Sequence, residues 1–180
     1  MTQTPEDFRQ RAWDAMSRGR TDADHPARQP VLATSGVEGP SLRMVVLRGW
    51  DADVAEIQSD RATGKVADLA TDPRAALLVW MPADSLQIRL TGRAELIHGD
   101  RDRWAKIPEG PRQVYGGTPP PGTPMQDPAD HNPDPDPDRF TAIRIHVTRA
   151  DILHIGEERH TRARFDRGMD GQWTGSWIAP

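Results

Sequence analysis

Apolar positions recur mostly with a period of two, in short runs bounded by Gly, Pro and Asp. This pattern predicts strands joined by tight turns. Ile143, Ile145 and Val147 alternate with Arg144, His146 and Thr148. Leu86, Ile88 and Leu90 alternate with Gln87, Arg89 and Thr91 in a strand expected over 86–96. Gly92 within it marks a bulge or a close backbone approach. Further strands are predicted at 31–34, 42–47, 54–59, 75–80, 152–155, 161–166 and 172–178. The 42–47 run is nearly continuous in apolar residues, as in a strand covered on both faces. Gly36-Val37-Glu38-Gly39-Pro40 and Asp51-Ala52-Asp53 read as turns.

A helical period appears in three places. Thr4 can cap a helix, Pro5 suits its first turn and Asp7 completes a capping-box pattern. Phe8, Ala12, Trp13 and Met16 then share a face, which predicts a helix over 5–18, ending near Gly19 and packing across one end of a barrel. Val66, Leu69 and Ala70 predict a short helix from Thr63 to Ala70, capped by Thr63 or Asp60 and stopped by Asp72-Pro73. Asp100 to Lys106 reads as a third helix. Between Gly117 and Asp138, eight prolines and five aspartates leave no apolar period. That segment, 117–138, reads as a long loop that either lids a site or is unstructured. Strands resume beyond it, so the expectation is one domain over 1–180: mainly β, a six- to eight-stranded barrel with peripheral helices.

Composition narrows the function classes. The chain has 180 residues, enough for one sizeable core. No apolar run is long enough for a transmembrane helix. The polar, acidic stretch Met1–Asp7 lacks the features of a signal peptide, so a cytoplasmic protein is expected. The absence of cysteine excludes disulfides and thiolate chemistry. A net charge of −4 argues against a nucleic-acid partner, so any anion site must be a local cluster of cations. The six histidines lack metal-ligand spacing, and no metal is expected. No dinucleotide fingerprint, P-loop or serine elbow is present. Six Trp against one Tyr carries little information, since indoles fill small barrels as readily as they line sites.

The chemistry concentrates between Arg43 and Gln87. Arg43-Met44-Val45-Val46-Leu47-Arg48 places cations at both ends of an apolar run. Gln58-Ser59 closes the next strand, and Thr63 and Lys65 follow. Cations at strand ends, with hydroxyls and a lysine nearby, suit a phosphorylated, flat ligand.

These residues resemble the pyridoxamine 5'-phosphate oxidase-related family of FMN-binding split barrels. Arg43 to Arg48 is similar to the family's first flavin-contacting strand, Arg-x-Val-x-Leu-Lys. Lys65, seventeen residues after Arg48, matches its phosphate-binding lysine, and Asp72-Pro73-Arg74 matches Asn-Pro-Arg. Gln87, fourteen after Pro73, matches a glutamine near the flavin, and Gly92-Arg93-Ala94-Glu95 matches Gly-x-Ala-Glu. Gly156, Arg159, His160, Arg162 and the closing Trp177-Ile178-Ala179-Pro180 are similar to the last motif. The match is gap-free from Arg43 to Glu95.

The resemblance implies a homodimeric FMN-binding split β-barrel, with two flavin sites at the subunit interface, each lined by both chains. Arg43 and Lys65 would hold the phosphate, with Ser59, Thr63 and the N–H groups opening the Thr63 helix. The backbone of Met44, Val45 and Val46 would read the ring edge. Gln58 and Gln87 would add amide contacts, and Arg162 would reach the flavin from the C-terminal strand. Gln87 also reads as an ordinary exposed position on an alternating strand. Trp80 and Trp177 read as core indoles before stacking partners. Arg48 replaces a family lysine and, with His160, is a candidate catalytic residue. The family's vitamin-B6 oxidases carry a tyrosine, an arginine and a serine after the Gly-x-Ala-Glu strand. Here Arg112 and Tyr115 survive as types without that spacing. The implied function is therefore an FMN-dependent oxidoreductase acting on an unidentified small molecule. The alternatives are a non-catalytic flavin-binding or ligand-storage protein, a true pyridoxamine 5'-phosphate oxidase, or a relative that has lost FMN for haem, deazaflavin or nothing.

Overall fold

A computed structural model describes residues 4–180, so Met1–Gln3 of the acidic start lie outside the described residues. Helix α1 spans Pro5–Thr21. Thr4 and Asp7 form the capping box expected of them, and Phe8, Ala12, Ala15, Met16 and Gly19 are buried. The strands are β1 (Val31–Gly36), β2 (Gly39–Met44), β3 (Leu47–Asp51), β4 (Val54–Asp60), β5 (Arg74–Met81) and β6 (Leu86–His98). They continue as β7 (Gly116–Thr118), β8 (Asn132–Pro135), β9 (Phe140–Ile155), β10 (His160–Arg167) and β11 (Trp173–Ile178). Three short helices lie between them: α2 (Gly64–Thr71), α3 (Arg101–Ala105) and α4 (Glu109–Arg112). Among the described residues no helix is long and apolar enough to cross a membrane.

Among the described residues nine strands form one antiparallel sheet, against the six to eight expected. Its path runs β11-β10-β9-β6-β5-β1-β2, and β4 joins β9 to β3. The long strand β9 makes the split. Its Phe140–His146 half pairs with β4, and its Arg149–Ile155 half pairs with β10. Strand β6 runs beside both halves, with a register shift between Thr91 and Gly92. Gly92 has the second role expected of it too: a Cβ there would lie 2.1 Å from the His146 carbonyl oxygen. The runs 143–148 and 152–155 are thus one strand, because the bulge lets β9 bend without breaking.

The alternating faces of β5, β6 and β9 meet inside. Leu32, Leu77, Ile88, Leu90, Ile143 and Ile145 are fully buried, and α1 adds Phe8 and Met16. Two expectations fail. The 42–47 run is divided between β2 and β3, and it is not covered on both faces: Leu42 is 65% and Met44 60% exposed. Strand β2 pairs only with β1 among the described residues, and its outward apolar side chains are open to solvent. Trp80 and Trp177 are likewise 45% and 41% exposed rather than core indoles.

The segment 117–138 is not structureless. Strands β7 and β8 pair across it, and a single 3-10 turn spans Pro128–Asp130. A two-stranded ribbon held by backbone bonds needs no apolar period, and prolines suit its unpaired edge.

One carboxylate ties distant elements together. Asp53, in the β3–β4 turn at φ +68°, accepts hydrogen bonds from the indole N–H groups of Trp13 (2.6 Å) and Trp173 (3.0 Å). The Arg167 guanidinium lies 3.3 Å from it. Trp13 packs edge-on against both Trp50 and Trp173. Asp53→Ala leaves two indole donors unpaired and is expected to cost about 2–4 kcal/mol. Chemical denaturation measures this; a loss below about 0.5 kcal/mol would contradict the clamp.

Candidate functional site

Where β2 ends, Val45 N–H donates to the Pro30 carbonyl and the chain turns through Val45-Val46 into β3. Arg43, one residue before this end, is held from the side facing α2. Its Nη1 donates to Thr34 Oγ1 and its Nη2 to Ser41 Oγ, both at 2.7 Å. Asp68 of α2 accepts from the same Thr34 hydroxyl at 2.7 Å and lies 3.6 Å from Arg43 Nη2. The guanidinium is therefore oriented by the fold, with its remaining N–H groups unused.

The other half is the β4–α2 turn. Ser59 Oγ lies 3.0 Å from Thr63 Oγ1, and Lys65 Nζ donates to Ser59 Oγ at 3.1 Å. Thr63 occupies the cap position, but its hydroxyl donates back to the Asp60 carbonyl (2.8 Å). Asp60 instead accepts from Ala62 N–H in the turn (2.7 Å). Neither residue caps α2 as expected, and its first N–H groups have no side-chain acceptor.

Among the described residues Lys65 has no carboxylate within ion-pair distance. Its pKa lies below the usual lysine range. Burial is the main cause, the Arg43 charge adds to it, and Asp60 opposes both. A half-buried lysine penalised by burial and by a neighbouring arginine is the kind of group that marks a candidate anion site.

These residues line one cavity of about 390 Å³. Nine of the eleven cofactor-contact candidates meet there: Arg43, Met44, Val45, Val46, Arg48, Gln58, Ser59, Thr63 and Lys65. Asp60, Val114, Tyr115 and Pro121 complete the wall; of these, the sequence offers Asp60 only as a helix cap and Tyr115 only as a family residue type, and it does not single out Val114 or Pro121. Tyr115 is buried, and its hydroxyl donates to Gln58 Oε1 at 3.4 Å. Burial raises its pKa, and the nearby Arg48 guanidinium pulls the other way. A second cavity of about 700 Å³ shares Arg48 and Gln58 with the first. Ile107, Pro108 and Pro111 form its apolar wall, and the Glu56–Arg103–Asp100 ion pairs its polar one. The smaller cavity differs from it in holding the half-buried Lys65 and the hydroxyls of Ser59 and Thr63.

Gln87, Arg162 and His160 are not brought to this cavity within one chain. Gln87 and Arg162 both pair with Leu153 and so share one sheet face. Arg162 is held by Asp151 at 2.7 and 2.9 Å, and Arg89 shares that carboxylate. His160 is exposed at the start of β10.

The fold is a split barrel carrying a cavity lined by cations and hydroxyls at a strand edge and a helix start. The sequence model of a family described as "Pyridoxamine 5'-phosphate oxidase, FMN-binding domain" matches residues 10–98. Over these residues the chain matches the pyridoxamine 5'-phosphate oxidase-related family. It is 39% identical over 80 residues to a pyridoxine/pyridoxamine 5'-phosphate oxidase of Anaeromyxobacter dehalogenans, covering 44% of this chain and 40% of that enzyme. It is 42% identical over 67 residues to the Cupriavidus metallidurans enzyme of the same description, covering 37% of this chain and 32% of that enzyme. The matches thus span less than half of these relatives. A pyridoxamine 5'-phosphate oxidase-related, FMN binding protein from Nostoc punctiforme superposes with a TM-score of 0.78 at 25% identity, over 100% of both chains. PhzG from Burkholderia lata, solved with tetrahydrophenazine-1-carboxylic acid, shares the fold with a TM-score of 0.73 at 16% identity, over 99% of this chain and 94% of that one.

Burying the Lys65 charge has a cost that Lys65→Met removes. That variant is expected to match or exceed the ligand-free wild type in thermal midpoint at neutral pH. The lysine pKa is lower folded than unfolded, so this cost is fully present below the folded value. It is relieved as pH rises from there towards 10.5. The advantage of Lys65→Met should therefore shrink with rising pH. Thermal melts across alkaline pH check this, and a variant less stable than wild type at neutral pH would contradict it.

Proposed function

We propose that this chain is an FMN-binding flavoprotein, an oxidoreductase acting on a small molecule. The observation that carries the reading is the half-buried Lys65, without a carboxylate partner among the described residues, beside Arg43 in one cavity. A phosphate carrying about two negative charges suits that end. Arg43 would take it in a fork, Lys65 as a point charge, and Ser59, Thr63 and the uncapped α2 N–H groups as donors. The Met44–Val46 backbone would meet the ring edge, and Gln58 would present its amide. FMN has about thirty non-hydrogen atoms, and roughly 0.3 kcal/mol for each gives about 9 kcal/mol, or sub-micromolar affinity. When bound, FMN supplies two-electron redox chemistry. Arg48, shared by both cavities, would hold positive charge where the reduced ring accumulates negative charge. The larger cavity would admit the substrate beside it.

The reading includes a homodimer. Cross-strand register puts Trp80, Gln87, Leu153 and Arg162 in one row. The row two residues away runs Met44, Val31, Leu78 and Arg89 on the same sheet face. Exposed Leu42, Met44 and Trp80 leave that face apolar beside the cavity. A two-fold pairing through it would present Gln87 and Arg162 to the partner's flavin.

Arg43→Ala and Lys65→Ala are each expected to weaken FMN binding roughly ten- to a hundredfold, the worth of a charge-assisted hydrogen bond. Fluorescence titration measures it, and unchanged affinity in the double variant would sink the phosphate assignment. Leu42→Glu with Trp80→Glu should give monomers in sedimentation and lose FMN affinity. A dimer that persists in that variant would refute the interface.

A further inference from the structure

The segment 116–139, outside the barrel sheet, is fastened at both ends to a single buried carboxylate. Asp60 is 3% exposed. Its Oδ2 accepts from Gly116 N–H at 2.7 Å. Its Oδ1 accepts from the Arg139 guanidinium at 2.8 and 3.1 Å. Two backbone bonds reinforce the junction: Arg61 N–H to the Arg139 carbonyl (2.6 Å) and Asp136 N–H to the Tyr115 carbonyl (2.9 Å). Gly116 is suited to this crossing, since it sits at φ +119° and a Cβ would lie 2.1 Å from the Asp134 carbonyl oxygen.

Between these anchors the segment doubles back through β7 and β8, and residues 120–130 are exposed throughout. Such a segment has little packing of its own and takes its position from its ends. One of its prolines, Pro121, reaches the wall of the smaller cavity, beside Val114 and Tyr115. The carboxylate also belongs to the turn that forms the anion end. The Asp60 carbonyl accepts from Thr63, and Thr63, Ser59 and Lys65 are joined through their side chains.

We propose that residues 116–139 form a strap over the cofactor cavity, and that Asp60 is the positioning residue that latches it. The strap slows cofactor release, and an anion on the Ser59–Thr63–Lys65 end stiffens the turn that holds the latch. The proposal rests on the FMN reading of the cavity. It assigns the Pro- and Asp-rich segment to ligand retention and names the side chain that couples it to the site.

The test uses the full-length protein, the variants Asp60→Asn and Arg139→Gln, and FMN as probe. The second variant breaks the same link from the strap side, in case the first misfolds. Without FMN, limited proteolysis within 117–138 should accelerate about tenfold in both variants, with the barrel remaining resistant. That is the effect of losing one charge-assisted hydrogen bond. With FMN, the wild-type strap should be protected, and FMN dissociation should be about tenfold faster in the variants while association changes little. A merely structural role for Asp60 would lower the thermal midpoint without moving the dissociation rate. Strap cleavage at the wild-type rate in both variants overturns the latch, and an unchanged FMN dissociation rate overturns retention. Wild-type protein that ignores FMN, with cleavage still accelerated in the variants, overturns the flavin reading and leaves the latch standing.

Discussion

The structure turns on the juxtaposition of Arg43 and Lys65. The Arg43 charge raises the cost of ionising Lys65, which is half-buried and donates to a hydroxyl. In an ordinary core such a lysine would be replaced by an apolar residue, because burial penalises its charged form. Here the surroundings sustain it. Asp68 and Thr34 orient the arginine, and Ser59 and Thr63 position the lysine. The arrangement stores binding capacity for an anion at the expense of ligand-free stability.

The barrel exists, in this view, to bring a strand end and a helix start together. Strand β2 delivers Arg43, and the β4–α2 turn delivers Ser59, Thr63 and Lys65. These are not neighbours in the sheet, since β2 closes one end of its path while β4 lies off that path, joined through β9. Helix α2 spans the gap, packing Val66 and Leu69 inward and holding Arg43 through Asp68. Asp53 performs the same service for the rest of the shell by binding α1, the β3–β4 turn and the C-terminal strands.

What the sequence reveals follows from which interactions are local. The alternation in β5, β6 and β9 is legible because one face of each is buried. The capping box of α1 is legible because its partners are three residues apart. The site residues from Arg43 to Lys65 are legible as one cluster because they sit on consecutive strands. The covering of β2 was misread, because an apolar run looks the same whether its outer face meets a layer or is left open. The sequence leaves 117–138 open between a lid and an unstructured loop, because its order comes from backbone pairing and from Asp60, whose partners Gly116 and Arg139 lie 56 and 79 residues away. No local period encodes such a link. Gln87 and Arg162 match the family motifs, yet they lie on the outer sheet face, away from the cavity of their own chain.

The central claim is that two cations hold a fully ionised phosphate at one end of the cavity. Phosphorus NMR of protein-bound FMN, followed through a pH titration, tests it most directly. The account predicts a resonance that stays at the dianion position well below pH ~6, where a free phosphomonoester takes up its proton. A bound phosphate that titrates like free FMN would contradict it.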